Sequence, residues 1–178
     1  MMTASAISPP IGVFGLCCIQ SAAVLASAWT DLLRRTISNR NCLVVALAGA
    51  GVRGLNGSAS LAESLAVGFG LFLVLLVLRA RGMMGGGDVK LLTAAALGQG
   101  PIGVVHLIQA TALAGGGLAL CHLALRRLPP PRLAPVGASL PRRAYAAERW
   151  RACRRVGLPY GIAIATGAIS TLLTNGLG

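Results

Sequence analysis

The chain has 178 residues, of which 55% are hydrophobic and only 11% are charged, and its mean hydropathy is +0.75. A soluble domain carries about 25% charged residues, so this composition excludes an ordinary soluble protein. The net charge of +12 would suit a nucleic acid, but the arginines lie between apolar runs and form no single stripe. Charges that flank membrane helices and face anionic lipid headgroups have this pattern. We expect an integral membrane protein that contacts lipid headgroups and binds no nucleic acid.

Six apolar runs follow one another along the chain. They cover residues 11–28, 42–52, 61–78, 89–97, 102–125 and 160–173. The runs are rich in Leu, Ala, Val and Gly and lack the alternation of strands, which favours helices over a β-barrel. We predict an all-α integral membrane protein, one membrane-embedded domain of residues 1–178 that forms a bundle of six transmembrane helices. Its second and fourth helices are short for a hydrocarbon core of about 30 Å.

A polar segment of about residues 126–155 separates the last two runs and carries nine arginines. Six crossings with the N-terminus outside place fifteen of the sixteen basic residues in the cytoplasm, whereas the split is thirteen to three if both short runs fail to cross. The positive-inside rule therefore favours six crossings, with both termini outside and a basic cytoplasmic loop. The pattern leaves open whether the second half of this loop is a helix on the membrane surface or a solvated loop.

Only four residues of the chain are acidic, and two of them lie at the edges of apolar runs. Asp31 follows the first run, and Asp88 comes directly after a glycine triplet at the start of the fourth. An acid at the edge of hydrocarbon costs free energy and is by default a functional candidate. The six-crossing topology places both at the cytoplasmic boundary. Glu63 and Glu148 fall outside this pair, and we interpret them as structural.

Two close carboxylates can hydrolyse a peptide bond when they share one proton, because one then acts as the base and the other as the acid. Other catalytic groups are missing from the sequence. His106 and His122 have no acidic neighbour, there is no Gly-x-Ser-x-Gly or His-Glu-x-x-His motif, and the five scattered cysteines contain no Cys-x-x-Cys pair. We predict an aspartyl protease whose catalytic residues are Asp31 and Asp88, and we expect no metal and no cofactor.

The residues around Asp88 have two interpretations. Glycines lack Cβ and permit close approach of an extended substrate, but three glycines alone fit a plain interfacial turn better. Lys90 is either a topology charge or the partner of an ion pair that tunes Asp88. The candidate supporting residues at this point are Gly85, Gly86, Gly87 and Lys90.

Three segments of the chain resemble the motifs of one protease family. Residues 85–92, Gly-Gly-Gly-Asp-Val-Lys-Leu-Leu, resemble Gly-x-Gly-Asp-x-Lys-Leu. Asp31, followed by Arg34 or Arg35, Ile37 and Asn39, is similar to Asp-x3–4-Arg-x-Ile-Pro-Asn, with Ser38 in place of the usual proline. Residues 159–161, Pro-Tyr-Gly, resemble a Pro-(Phe/Tyr)-Gly segment before the last helix. Together these segments, which span nearly all of the chain, resemble the type IV prepilin peptidases.

The resemblance implies a bacterial inner-membrane aspartyl endopeptidase that removes the short basic leader of prepilins or pseudopilins at the cytoplasmic face. Asp31 and Asp88 match its catalytic aspartates. Larger members of the family carry a cytoplasmic domain with Cys-x-x-Cys pairs and methylate the new N-terminus. This chain has no such domain, so it resembles the short class that serves tight-adherence (Flp-type) pili. Lys90 or Arg34 are candidates to receive a glutamate that follows the cut, and Asn39 joins the supporting residues.

Three other functions fit parts of the pattern. A presenilin-like protease would have its aspartates at mid-depth in the membrane. A small transporter or ion-binding protein would carry acids in mid-helix and repeated halves. A non-catalytic assembly factor would tolerate Asn in place of both aspartates. The sequence leaves the oligomeric state and the identity of the pilin open.

Overall fold

The computed structural model describes residues 11–126, Ser139 and residues 160–176, and within these residues the chain forms six helices and no strand. In chain order they are α1 (Ile11–Arg34), α2 (Asn39–Leu55), α3 (Ser58–Ala80), α4 (Gly86–Ala96), α5 (Pro101–Arg126) and α6 (Tyr160–Gly176). The predicted all-α class is confirmed for this part of the chain. Nearly all of the predicted basic loop and Glu148 lie outside the described residues.

Three of the helices, α1, α3 and α5, are long and apolar enough to cross a membrane. The sixth is a shorter apolar helix over Tyr160–Thr174. The 17 residues of α2 and the 11 of α4 correspond to lengths of about 25 Å and 16 Å at 1.5 Å per residue. Six crossings therefore remain a prediction.

The first helix extends past its apolar run. We predicted its end near residue 28 and Asp31 beyond it, but α1 continues to Arg34 and Asp31 lies in its last turn. The buried residues of α1 recur at helical spacing: Gln20, Ala23, Val24, Ser27, Ala28 and Asp31. Asp31 continues this stripe, so the packing that buries the apolar residues also buries the carboxyl group.

Capping explains where the two short helices begin. Ser38 precedes α2, and its hydroxyl accepts the N–H of Arg40 at 3.3 Å, as an N-cap serine does. The interpretation of the glycine triplet as a plain interfacial turn is wrong in part, because Gly86 and Gly87 are already helical and only Gly85 is the extended N-cap. Asp88 therefore lies in the first turn of α4.

Helix α4 is the centre of the bundle and packs against all five other helices. Its buried residues are Val89, Leu91, Leu92, Ala94, Ala95 and Ala96, and a helix that is apolar on most of its surface belongs in a protein interior. The last helix, α6, packs between α5 and α1. These contacts bring the start of α6 to the end of α1, beside Asp31.

Candidate active site

Asp31 is held by the start of the last helix. Its side chain is only 7% exposed, and its Oδ2 accepts the backbone N–H of Gly161 at 2.9 Å. The first amides of a helix have no partner within the helix, so the amide of Gly161 is available for this bond. The carboxyl group therefore has a fixed donor from a segment 130 residues away in the chain.

Asp88 lies at the third position of α4, outside the three long apolar helices. The backbone N–H of Gly85, the N-cap, donates to its side chain, so Asp88 reaches back as the acidic member of a capping box does. This approach requires a glycine at position 85, because a Cβ there would lie 2.7 Å from Oδ2 of Asp88. Gly85 thus positions Asp88 at the helix start.

The carboxyl group of Asp88 retains its proton to an unusually high pH. Burial, and then the nearby negative charge of Asp31, raise its pKa from 3.8 to about 6. The guanidinium of Arg35 and the amide of Gly85 act in the opposite direction. Because the charge of Asp31 acts on the carboxyl group of Asp88, the two aspartates form an interacting pair at one end of the bundle.

An apolar pocket of about 170 Å³ opens beside Asp88 and is lined by Leu78, Met83, Met84, Gly85, Asp88 and Tyr160. The end of α3 builds its wall. Gly82 has φ +72° and donates to the carbonyl of Arg79 at 2.9 Å, while the N–H of Met83 donates to the carbonyl of Leu78 at 3.0 Å. This is the Schellman arrangement, which needs glycine at the left-handed position and brings the residue after it against the last turn.

The structure places the other predicted supporting residues around this pair. Lys90 donates to Oδ1 of Asn39 at 3.1 Å, which links α4 to the start of α2. The Cβ position of Gly87 faces Ile37, and that of Gly86 faces the guanidinium of Arg79, so these two glycines serve packing. Arg34 is exposed at the end of α1. The cation whose charge acts on Asp88 is thus neither Lys90 nor Arg34.

That cation is Arg35, and no sequence pattern favours it over Arg34. Arg35 follows α1 with φ 56°, the left-handed region that glycine usually occupies, and its N–H donates to the carbonyl of Asp31 at 2.9 Å. Left-handed backbone costs an ordinary residue about 1 kcal/mol or more. Arg35 therefore has a strained backbone conformation at the end of α1, which glycine would adopt without strain.

Glu63 lies apart from this site. Its carboxylate accepts from Arg53 at 2.7 Å, and Arg53 also donates to the carbonyl of Ser60 at 3.3 Å. These contacts join α2 to the start of α3. They agree with the interpretation of Glu63 as a structural residue.

Comparison with known proteins gives one match. The model of the type IV leader peptidase family matches residues 18–120, which is more than half of the chain and includes both aspartates. No curated protein and no solved structure matches. The match confirms the resemblance seen in the motifs, and together with the three long apolar helices it indicates an integral membrane protein.

Proposed function

Since this chain belongs to the type IV leader peptidase family, we propose that it is an aspartyl endopeptidase that removes the basic leader of Flp-type prepilins. Asp31 and Asp88 are its catalytic residues. The observation that carries the mechanism is the pairing of two carboxyl groups beside a pocket: burial and the charge of Asp31 raise the pKa of Asp88 to about 6, which suits a general acid close to neutral pH. The Flp-type substrate is carried over from the resemblance of these 178 residues, which contain no Cys-x-x-Cys pair, to the short class of the family.

The reaction uses the pair in its singly protonated form. The oxygen of a water molecule attacks the scissile carbonyl carbon while Asp31 takes a proton from that water. At the same time Asp88 gives its proton to the carbonyl oxygen. The tetrahedral intermediate then collapses: the amine leaves with the proton held by Asp31, and the hydroxyl proton returns to Asp88. The products are a carboxylic acid and an amine, and the pair ends with the single proton it started with.

The charges at this end of the molecule support a cytoplasmic active site. The exposed basic residues Arg34, Arg40, Arg79, Arg81 and Lys90 lie at the helix ends or in the connection around the two aspartates. By the positive-inside rule this end faces the cytoplasm. We place the chain in the bacterial inner membrane as one multi-pass domain with both termini outside. Its partners are then a prepilin or pseudopilin and anionic lipid headgroups.

The family match does not favour the alternative of a small transporter. The position of the aspartates also fits a peptidase better. Asp31 is in the last turn of α1 and Asp88 in the first turn of α4, whereas acids that bind a transported ion lie within the span of a helix.

Cleavage in membranes tests the proposal. The chain is co-expressed with a Flp-type prepilin as wild type, Asp31→Asn and Asp88→Asn, with Glu63→Gln as the matched control because it makes the same carboxylate-to-amide change away from the site. General acid–base catalysis contributes about 10²- to 10⁴-fold, so we expect wild type and Glu63→Gln to shorten the prepilin and neither Asn variant to do so. Cleavage by either Asn variant at the wild-type rate would remove the aspartyl mechanism.

A second test concerns the substrate's glutamate. Lys90 is exposed two residues after Asp88, and its ammonium donates to Asn39 at the start of α2. If it receives the glutamate, Lys90→Met raises KM by about tenfold, the effect of one charge-assisted hydrogen bond of roughly 1.4 kcal/mol, and leaves kcat unchanged. An unchanged KM would remove Lys90 from this role. The control is a prepilin with Gln in place of that glutamate. Its KM with the wild-type enzyme should be about tenfold higher, and Lys90→Met should not raise this KM further.

A further inference from the structure

The first two residues of α6 touch both halves of the aspartate pair. Tyr160 lines the pocket beside Asp88, and the next residue, Gly161, donates its backbone N–H to Oδ2 of Asp31 at 2.9 Å. Gly161 is buried, whereas Tyr160 is 39% exposed. A single short segment therefore contacts the carboxyl group of one aspartate and the pocket of the other.

The contact with Asp31 accounts for the glycine at position 161. A Cβ at this position would lie 2.9 Å from both Cβ and Oδ2 of Asp31 and 3.1 Å from its Cγ. A Cβ does not approach other heavy atoms this closely, so either the new side chain or its neighbour must move. One of the neighbouring atoms is the Cβ of Asp31, which is fixed to the backbone of α1. Any side chain at position 161 must therefore displace the carboxylate, or move α6 away from α1.

We propose that Gly161 is a positioning residue of the active site: its amide orients the Asp31 carboxylate, and its lack of a side chain lets α6 come close enough to do so. With Oδ2 bonded to this amide, Oδ1 is the oxygen that accepts the proton of the attacking water. This inference rests on the proposed function and adds a third helix, α6, to the two that supply the aspartates.

The chain offers a matched control on the same helix. A Cβ at Gly167 would meet Oγ1 and the backbone nitrogen of Thr111 and lie 2.9 Å from the carbonyl oxygen of Leu107. Gly167 is thus as tightly packed as Gly161, but against α5 and away from the aspartates. Gly167→Ala shows how a new methyl group on α6 affects folding when it is away from the aspartates. Gly161→Ala has this effect and also displaces the carboxyl group of Asp31.

The kinetic experiment compares purified wild type, Gly161→Ala and Gly167→Ala on a Flp-type prepilin. Displacement of a catalytic group by about 1 Å costs up to about 10²-fold. We expect kcat of Gly161→Ala to fall about 30- to 100-fold with KM within threefold, and kcat of folded Gly167→Ala to stay near wild type. Equal losses in both variants, or an unchanged kcat in Gly161→Ala, would overturn the inference while the proposed function stands. Absence of cleavage by wild type would overturn the proposed function and the catalytic role of Gly161 with it.

A readout without substrate tests the contact itself. The Tm is measured for wild type, Asp31→Ala, Gly161→Ala and the double variant, because residues in contact give non-additive changes. Asp31→Ala removes Cγ and Oδ2, two of the three atoms that a Cβ at position 161 would meet. We expect the decrease in Tm caused by Gly161→Ala to be smaller in the Asp31→Ala background. Additive changes in Tm would overturn the contact.

Discussion

Two polar side chains of α1, Gln20 and Asp31, lie near opposite ends of α4, and their surroundings differ. Gln20 lies against Gly98, just after α4, and Asp31 lies 11 positions further along α1, which is about 16 Å. Gln20 is 1% exposed, and neither of its amide atoms has a hydrogen-bond partner among the described residues. Asp31 has a backbone donor, an interacting carboxyl group and a pocket close by.

The difference shows what separates a reactive polar group from a packed one. Gln20 carries no titratable proton, and the charges near its end of α4 are already paired, since Arg53 binds Glu63 at 2.7 Å. At the aspartate end, one carboxyl group holds its proton because it is buried beside another. Burial of polar atoms is common to both ends, so the site is distinguished by the titratable proton of Asp88, the backbone donor to Asp31 and the pocket beside the pair.

Equal substitutions at the two ends of α4 should have clearly different consequences for catalysis. A Cβ at Gly85 would lie 2.7 Å from Oδ2 of Asp88, and one at Gly98 would lie 2.7 Å from Nε2 of Gln20. Gly85→Ala should lower kcat by about 10²-fold because it displaces a catalytic carboxyl group. Gly98→Ala should lower Tm and leave kcat of the folded protein within threefold. Similar kcat values for the two variants would contradict the distinction between the two ends.

The pH dependence of kcat/KM gives a smaller effect of defined sign. It reports the pKa values of the free enzyme, so activity should fall as pH rises through about 6, where Asp88 loses its proton. Arg35 favours the ionised form of Asp88, and Arg35→Gln must therefore raise the pKa of Asp88 and move this decrease to higher pH. Arg40→Gln, a change of an exposed cation on α2, is the control and should leave the profile in place. A shift to lower pH in Arg35→Gln would contradict the account.

The smallest effect is expected from the ion pair at the other end. The side chains of Arg53 and Glu63 are 19% and 50% exposed, and such surface pairs contribute about 0–1 kcal/mol. Denaturation of Glu63→Gln should show a loss of free energy of unfolding within this range. A loss of free energy of unfolding several times larger would mean that the Arg53–Glu63 pair contributes more to stability than a surface ion pair does, which would contradict this interpretation.

The sequence predicts the helices better than their ends. Apolar runs place all six helices, because burial requires apolar faces, but the last turns of α1 contain Thr30, Asp31 and Arg34 and look like a loop. They are helical because α2 and α6 pack against α1, and Gly161 of α6 contacts Asp31. The start of α4 also lies outside its apolar run: Gly86 and Gly87 are helical because Asp88, three positions after the N-cap Gly85, caps the helix.

The two aspartates could be found from the sequence because acids are rare in this chain and the positive-inside rule puts both on one side. Their partners could not be found in this way. Gly161 meets Asp31 across 130 residues, and no local pattern encodes such a contact. Arg35 differs from Arg34 only by its left-handed backbone, which the packing of the helix end sets. The motif resemblance marked residues 159–161 without assigning them a role.

The central claim is that the two aspartates form a pair in which Asp88 holds a proton. Asp31 and Asp88 are the only aspartates in the chain, so biosynthetic labelling with carboxyl-¹³C aspartate gives two carboxyl signals, which infrared spectroscopy or NMR can follow as the pH changes. We predict one signal that titrates near pH 6, is absent in Asp88→Asn, and titrates at lower pH in Asp31→Asn because one cause of the raised pKa is gone. Two signals that titrate near pH 4, or a titration of Asp88 that Asp31→Asn leaves unchanged, would contradict it.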